Sequence, residues 1–295
     1  MTGELRPVFT TAAPSADVLD RVVDQAAGAI GSIPHTPMPN GQQFFRVTDA
    51  DTVRDELIGV IDWHARHHPR NLQKELGPSE VGHPCSRKLA YGITDAPSCN
   101  PGFDRLPSEI GIAYHDRLDK HFRAENQRIG RERWLTETTV EPWPGLWGSS
   151  DLFDVDNARV LDWKILGDSS MKKMQLHGPN LSYRRQLQFY GRGFERAGLP
   201  VKQVVLVAIP KAGTLRGTKV FVYDYDASVT ERGYARWVQL LVMVDVLQVE
   251  HNPKAYAAFE TVGENCQFCP WFKREPDDSG LQCGGAPDTS AGIAV

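Results

Sequence analysis

The sequence predicts an α/β domain built on one mixed sheet. Three observations carry that reading. Three strand-like runs follow one another at 134–140, 146–155 and 159–165, a helix-period segment spans 181–197, and two more strand-like runs at 201–209 and 219–225 lie beyond it. A helix crossing between runs allows a parallel pair inside an otherwise antiparallel sheet.

The flanking elements follow in order. A short amphipathic helix is expected over 15–30, and the proline-rich 33–39 cannot continue it, because proline lacks the amide proton a helix interior needs. A second helix is expected from Thr52, with Asp55 three residues on as its capping-box partner, to Pro69. The segment 105–126 reads as a helix carrying Gly111, Tyr114, His115 and Leu118. After the last strand, Ser228 and Glu231 are expected to cap an apolar helix reaching about 250, with Tyr234, Trp237, Leu241 and Val244 in the core. These elements divide the chain into a peripheral segment (1–45), a helical segment holding Cys85 (46–104), a core (105–250), a cysteine-bearing segment (251–283) and a tail (284–295) expected to be disordered.

With 295 residues, 41% hydrophobic and 24% charged, the chain can bury a substantial core. The net charge of -4 excludes a protein that coats nucleic acid by bulk charge, but leaves room for a local basic groove. Arg184, Arg185, Arg192 and Arg196 crowd one helix, with Lys172 and Lys173 before it. No apolar run is long enough to span a bilayer and the first residues lack a signal-peptide core, so cytoplasmic residence and no membrane contact are expected. In a reducing compartment, grouped cysteines read as metal ligands before disulfides.

Asp151 and Asp162 form a hairpin problem. A two-residue turn at Asp156-Asn157 pairs Val155 with Ala158 and sets the two aspartates opposite each other, with Cβ atoms about 4.5–5.5 Å apart on one face. Carboxylates that close call for a cation between them, and hard oxygen donors suit Mg²⁺ or Mn²⁺. Lys164, two residues after Asp162, projects from the same face. There its ammonium can orient an attacking water and offset charge developing on a phosphate. Gly111, one turn before His115, would let another backbone approach closely.

Cys266-x-x-Cys269 is a metal-binding knuckle, and Cys85 upstream with Cys283 downstream completes a set of four. Spacing alone fits zinc or an iron-sulfur cluster. Cys99, in a turn-rich loop, is left over as a free thiol, or replaces Cys85 or Cys283 in the set.

The ordered set Gly111-x-x-x-His115, Gly148-x-x-Asp151, Asp162-x-Lys164 and Gln186-x-x-x-Tyr190 resembles the PD-(D/E)XK superfamily, specifically its RecB-type nucleases. With the four cysteines it is similar to the CRISPR-associated iron-sulfur exonucleases and their phage-encoded relatives. The resemblance covers about 85–283 and implies a restriction-endonuclease-like core, a mixed central sheet flanked by helices, with a 4Fe-4S clasp on Cys85, Cys266, Cys269 and Cys283. The gap from Cys269 to Cys283 is wider than in those relatives, and the acid at position 162 is aspartate where many have glutamate.

The resemblance further implies that His115, Asp151, Asp162 and the Trp163 carbonyl hold the catalytic Mg²⁺ or Mn²⁺, and that Lys164 is the catalytic lysine. Gln186 and Tyr190 would contact DNA, and from their basic crowding, not from the resemblance, Arg184, Arg185 and Arg192 are expected to follow its backbone. The implied activity is a metal-dependent exonuclease preferring single-stranded DNA, working with replication, recombination or CRISPR adaptation proteins in a bacterial or phage-infected cytoplasm. The alternatives are an endonuclease on the same core and a non-catalytic iron-sulfur DNA-binding subunit of a helicase-nuclease machine. Oligomeric assembly is left open.

Overall fold

A computed structural model of the chain describes residues 50–67, 76–100, 104–263 and 265–286. The helix expected over 15–30, the proline-rich 33–39 and the tail from 287 lie outside the described residues. Residues up to Ile58 and residues from Gly59 form two compact units. Helix α1 (Ala50–Arg66) is bridged within itself by Arg54 to Asp51 and Arg66 to Asp62. It already runs from Ala50, so Thr52 sits inside its first turn and is not its cap.

The second unit continues through α2 (Pro78–Val81), α3 (Ser86–Ile93) and α4 (Leu106–Ile129), the last stopped by Gly130 in the left-handed region at φ 69°. Strands β1 (Trp134–Trp143), β2 (Leu146–Asp154) and β3 (Arg159–Leu166) form an antiparallel meander. Helices α5 (Asp168–His177) and α6 (Leu181–Arg196) then cross over to β4 (Gln203–Pro210), which pairs parallel to β3. Strand β5 (Lys219–Asp224) closes a five-stranded sheet in the order β1-β2-β3-β4-β5, and α7 (Ala227–Val246) follows. Among the described residues no helix is long and apolar enough to cross a membrane.

Helix α6 covers one face of the sheet, where Leu187, Tyr190 and Phe194 pack on Phe153, Val160, Val204 and Leu206. Tyr114, Leu118 and Phe122 of α4 cover the other, against Leu152, Trp163, Val205 and Val207. Alternation along β2 and β3 therefore aims Asp151, Asp162 and Lys164 toward the α6 side.

Several local expectations are corrected. The β2–β3 turn has four residues, 155–158, with Ala158 at φ 54°, yet Asp154↔Arg159, Phe153↔Val160 and Leu152↔Leu161 keep the expected register. Helix α5 was not expected. It buries only Met174, so it has no apolar stripe to read, and Gly178 at φ 72° ends it. The N-cap of α7 is Asp226, whose carboxylate accepts the Ser228 N–H at 2.9 Å. Its buried residues are Thr230 and Leu240, while Leu241 is 39% exposed.

Leu240 belongs to a second core, in which Leu89, Ala90 and Tyr91 of α3 pack with Tyr256, Phe259 and Cys283. The Tyr91 hydroxyl donates to the Gly280 carbonyl at 2.8 Å, and the Trp271 indole N–H to the Ala96 carbonyl at 2.9 Å. Apolar packing and these bonds hold the cysteine-bearing segment on α3.

Candidate metal and nucleic-acid site

The β2 and β3 strands part just past Leu152↔Leu161, and a side chain takes over from the ladder. Asp151 Oδ2 accepts the backbone N–H of Trp163 at 2.8 Å. On its other side, Asp151 Oδ1 lies 3.3 Å from Nδ1 of His115, which reaches in from α4. That contact is close enough for an ion pair but misaligned for a hydrogen bond, so the imidazole nitrogen has no hydrogen-bond partner.

Glu137, which sequence reasoning missed, completes a donor group. One ligand atom each from His115, Glu137 and Asp151 lie within 4.8 Å of one another, the one such set of three or more His, Cys, Asp or Glu among the described residues. The backbone of Glu137 is at φ 43°, between Thr136↔Leu152 and Thr138↔Ser150. A non-glycine residue there is strained. The side chain accepts a hydrogen bond from the Ser149 hydroxyl at 3.0 Å.

Asp162 is 2% exposed, and Lys164 Nζ lies 2.5 Å from its Oδ2, again without hydrogen-bond alignment. The ammonium also sits 5.0 Å from the centre of the Tyr183 ring. Burial pushes the Asp162 carboxyl up to about 6, with Lys164 pulling it down and Asp151 adding to the rise. Burial works against the charge of Lys164, but Asp162 and Asp151 outweigh it and hold the ammonium above its ordinary value. Burial opposes Asp151 too, yet His115, Lys164 and the Trp163 N–H keep it below the usual carboxylate range. His115 is raised, because the two aspartates overcome burial.

The donor set fits a hard divalent cation: an imidazole nitrogen and clustered carboxylate oxygens, with the buried His115 Nδ1 lacking a hydrogen-bond partner; Asp162, held by Lys164, is not among the three convergent residues. Trp163 stacks on Phe122 with ring centres 5.5 Å apart, which fixes the backbone between Asp162 and Lys164.

Gly148 is required by a close approach, since a Cβ there would lie 2.6 Å from Cδ of Pro78 and 3.2 Å from the Tyr190 ring. Gly111 has no such neighbour among the described residues: none lies within 4 Å of where its Cβ would project, so they do not make the close approach expected there. Gln186 and Tyr190 are buried, and the Gln186 amide donates to the Tyr190 hydroxyl at 3.1 Å. Burial, with Asp162 adding to it, raises the Tyr190 phenol and keeps it protonated. Arg184 is exposed on the first turns of α6, Arg185 reaches the Gly82 carbonyl at 3.5 Å, and Arg192 pairs with Glu195 at 2.6 Å.

The four grouped cysteines meet. Cys85, Cys266, Cys269 and Cys283 line one partly open pocket, together with His83 and Lys88; Cys99 is not among its lining residues. Cys85 caps α3 and its sulfur accepts the Lys88 N–H at 3.5 Å, while Cys283 accepts the Gly285 N–H at 3.4 Å. Burial pushes the Cys269 thiol up to about 11 and raises Cys266. Burial likewise lowers His83 to about 3, helped by Lys88, Arg236 and Arg185, so its neutral Nδ1 accepts the Cys85 N–H at 3.1 Å.

No family model matches the chain, and no curated protein matches it. Among solved structures, it is similar to an alkaline exonuclease from Laribacter hongkongensis at 14% identity and a TM-score of 0.40, over 61% of this chain and 94% of that one. The same exonuclease in complex with dAMP gives 12% identity and a TM-score of 0.41, over 63% and 94%. A phage-related exonuclease from Haemophilus somnus 129PT gives 12% and 0.39, over 56% and 82%.

Proposed function

We propose that the chain is a metal-dependent DNA exonuclease that favours single-stranded DNA and serves phage or bacterial replication, recombination or CRISPR spacer processing. One observation carries the reading: the buried Asp162–Lys164 ion pair stands beside the convergent donors of His115, Glu137 and Asp151. His115, Asp151, Asp162 and the Trp163 carbonyl would hold Mg²⁺ or Mn²⁺, with Glu137 as a further donor. Such a cation supplies Lewis-acid polarisation of the phosphate and a nucleophilic water near neutral pH.

The chain's own groups do the rest. Lys164 presents a fixed positive charge where negative charge grows on the phosphate, and Asp162 fixes the position of that ammonium. Tyr190, locked by Gln186, sets how deep the strand enters the site. Arg184, Arg185 and Arg192 of α6 serve the strand backbone.

For the cysteine centre we favour a 4Fe-4S cluster over zinc. A zinc ion with bonds of about 2.3 Å needs sulfurs about 3.8 Å apart. Among the described residues no three thiols converge within 4.8 Å, and in a cluster each thiolate binds a different iron at a wider spacing.

Digestion of end-labelled linear and circular DNA with Mg²⁺, Mn²⁺ or chelator tests the activity. Cation-dependent loss of linear DNA alone is expected. Cutting of circles would make the enzyme an endonuclease on the same core, and no cleavage with either cation would leave a non-catalytic DNA-binding subunit.

A further inference from the structure

Residues 77–86 run as a strap from the nuclease core to the cysteine cavity. At one end, Pro78 fills the space in front of Gly148, three residues before Asp151. In the middle, a Cβ on Gly82 would lie 3.1 Å from Cβ of Arg185 and 3.3 Å from the backbone nitrogen of Gln186, so the strap lies against α6 where Gln186 leaves it. At the other end sits Cys85. The strap bonds within itself through the single turn of α2 and the Cys85 N–H to His83 Nδ1, but from His83 to Ser86, where it meets α3, its carbonyls look outward for partners.

Arg236 of α7 supplies three such partners. Its Nη1 donates to the His83 carbonyl at 2.8 Å, and its Nη2 donates to the Pro84 carbonyl at 2.7 Å and the Ser86 hydroxyl at 3.0 Å. Among the described residues no carboxylate forms an ion pair with it, so its planar fork is committed to the strap. Arg185 adds the bond to the Gly82 carbonyl. One guanidinium thus spans the three residues around the point where the chain delivers Cys85.

We propose that Arg236 is a positioning residue that fastens this strap and so couples the cysteine centre to cation binding at His115, Glu137 and Asp151. The coupling rests on the reading of both centres given above. Tightening Cys85 into a filled centre draws the strap taut, which presses Pro78 on Gly148 and Gly82 on Gln186. Linkage makes the effect reciprocal: filling either centre favours filling the other.

The test uses the full chain, purified without oxygen, with its cysteine centre either loaded or stripped by chelator. Mn²⁺ affinity is read by spin-resonance titration, and backbone hydrogen exchange is followed at 148–151 and 186–190. In the wild type, stripping should weaken Mn²⁺ binding about fivefold or more, in the range of ordinary allosteric couplings. Arg236→Ala should weaken it similarly with the centre still loaded, erase the loaded-versus-stripped difference and speed exchange at both segments, while Arg236→Lys restores part of each. Should Arg236→Ala fail to fold, Ser86→Ala removes one of the three contacts and should give the same changes at smaller size.

Equal Mn²⁺ affinity in loaded and stripped wild type would overturn the coupling while leaving both centres intact. Unchanged exchange at 148–151 and 186–190 in the folded Arg236 or Ser86 variant would overturn it even if no metal binds. A chain that binds no Mn²⁺ in any form, yet exchanges faster at both segments in the variants, keeps the strap and sinks the functional reading instead.

Discussion

The backbone N–H of Trp163 donates to Asp151 Oδ2 at 2.8 Å, one step past the last β2–β3 rung. Asp151 therefore closes the end of the hairpin through one oxygen, while its other oxygen lies 3.3 Å from His115 Nδ1. A carboxylate tied on one oxygen keeps the other aimed, which is how a metal ligand is held before its metal arrives.

Substitution of Lys164 tests its charge balance and its proposed catalytic role separately. Lys164→Met leaves Asp151 and Asp162 buried without their cation, and metal-free protein should lose about 3–5 kcal/mol by urea unfolding. The same variant should bind Mn²⁺ more tightly, since the site gains net negative charge, while cleaving no DNA. Weaker Mn²⁺ binding in this variant would mean that the lysine does not share a site with the cation.

Glu137 is held in a strained conformation that a structural residue would not need. Glu137→Gly removes strain of order 1–3 kcal/mol. It gives back about 0.5–1 kcal/mol for glycine in a strand, so metal-free stability should hold or rise. Mn²⁺ affinity should fall by tenfold or more, about 1.4 kcal/mol. Glu137→Gln keeps the strain and should lose affinity without the gain in stability. A glycine variant with wild-type Mn²⁺ affinity would remove Glu137 from the site.

Asp154 sets the hairpin that presents Asp151. Burial opposes its charge, but Arg133 at 3.0 Å, the Asn157 amide at 2.6 Å and the Asp156 N–H outweigh it and hold the carboxyl below its ordinary value. The folded pKa lies below the unfolded one, about 3.9, so the stabilisation is complete above that pH and is lost as pH falls through the folded value. Asp154→Asn should cost about 1.5–3 kcal/mol at pH 7, and less at pH 3. An equal loss at both pH values, by denaturant titration, would show that the charge is not what holds the turn.

The cysteine centre makes a compositional prediction. Anaerobic protein should be brown, with iron and acid-labile sulfide, and replacing Cys85, Cys266, Cys269 or Cys283 by Ala should each lower both. Cys99→Ala should be close to neutral, because Cys99 does not face the cavity. A colourless protein with one zinc per chain would refute the cluster and leave the nuclease reading standing.

What could be read from the sequence were features set by alternation and short loops. The β2–β3 register was legible because both strands carry period-two patterns close together in the chain, and it survived a turn two residues longer than expected. That Cys85 lines one pocket with the distant trio followed from the resemblance, since five cysteines and their spacing alone do not choose between Cys85 and Cys99. Glu137 was not legible, for its place depends on the β1–β2 register and on a left-handed backbone at a residue that does not advertise one. Gly148 was visible in its motif, but its reason, Pro78 seventy residues earlier, was not. Helix α5 escaped because a helix that buries one methionine has no apolar period.

The arginines of α6 differ in a way only the fold reveals, and salt dependence can separate them. Arg184 is exposed, one residue after the Tyr183 whose ring the Lys164 ammonium lies over. Arg192 is held by Glu195 at 2.6 Å, with Trp143 at 5.9 Å, and would have to give up that ion pair to bind a phosphate. Each single-strand phosphate contact contributes about 0.7 to the slope of log affinity against log salt. Arg184→Ala should therefore flatten the slope by about that amount and raise KM, leaving Mn²⁺ affinity alone. Arg192→Ala should move the slope less. Tyr190→Ala should instead depress kcat on saturating DNA, because a strand bound at the wrong depth misplaces the scissile phosphate. The measurement is steady-state degradation of end-labelled single-stranded DNA at several salt concentrations, and an unchanged slope for Arg184→Ala would place the DNA path away from α6.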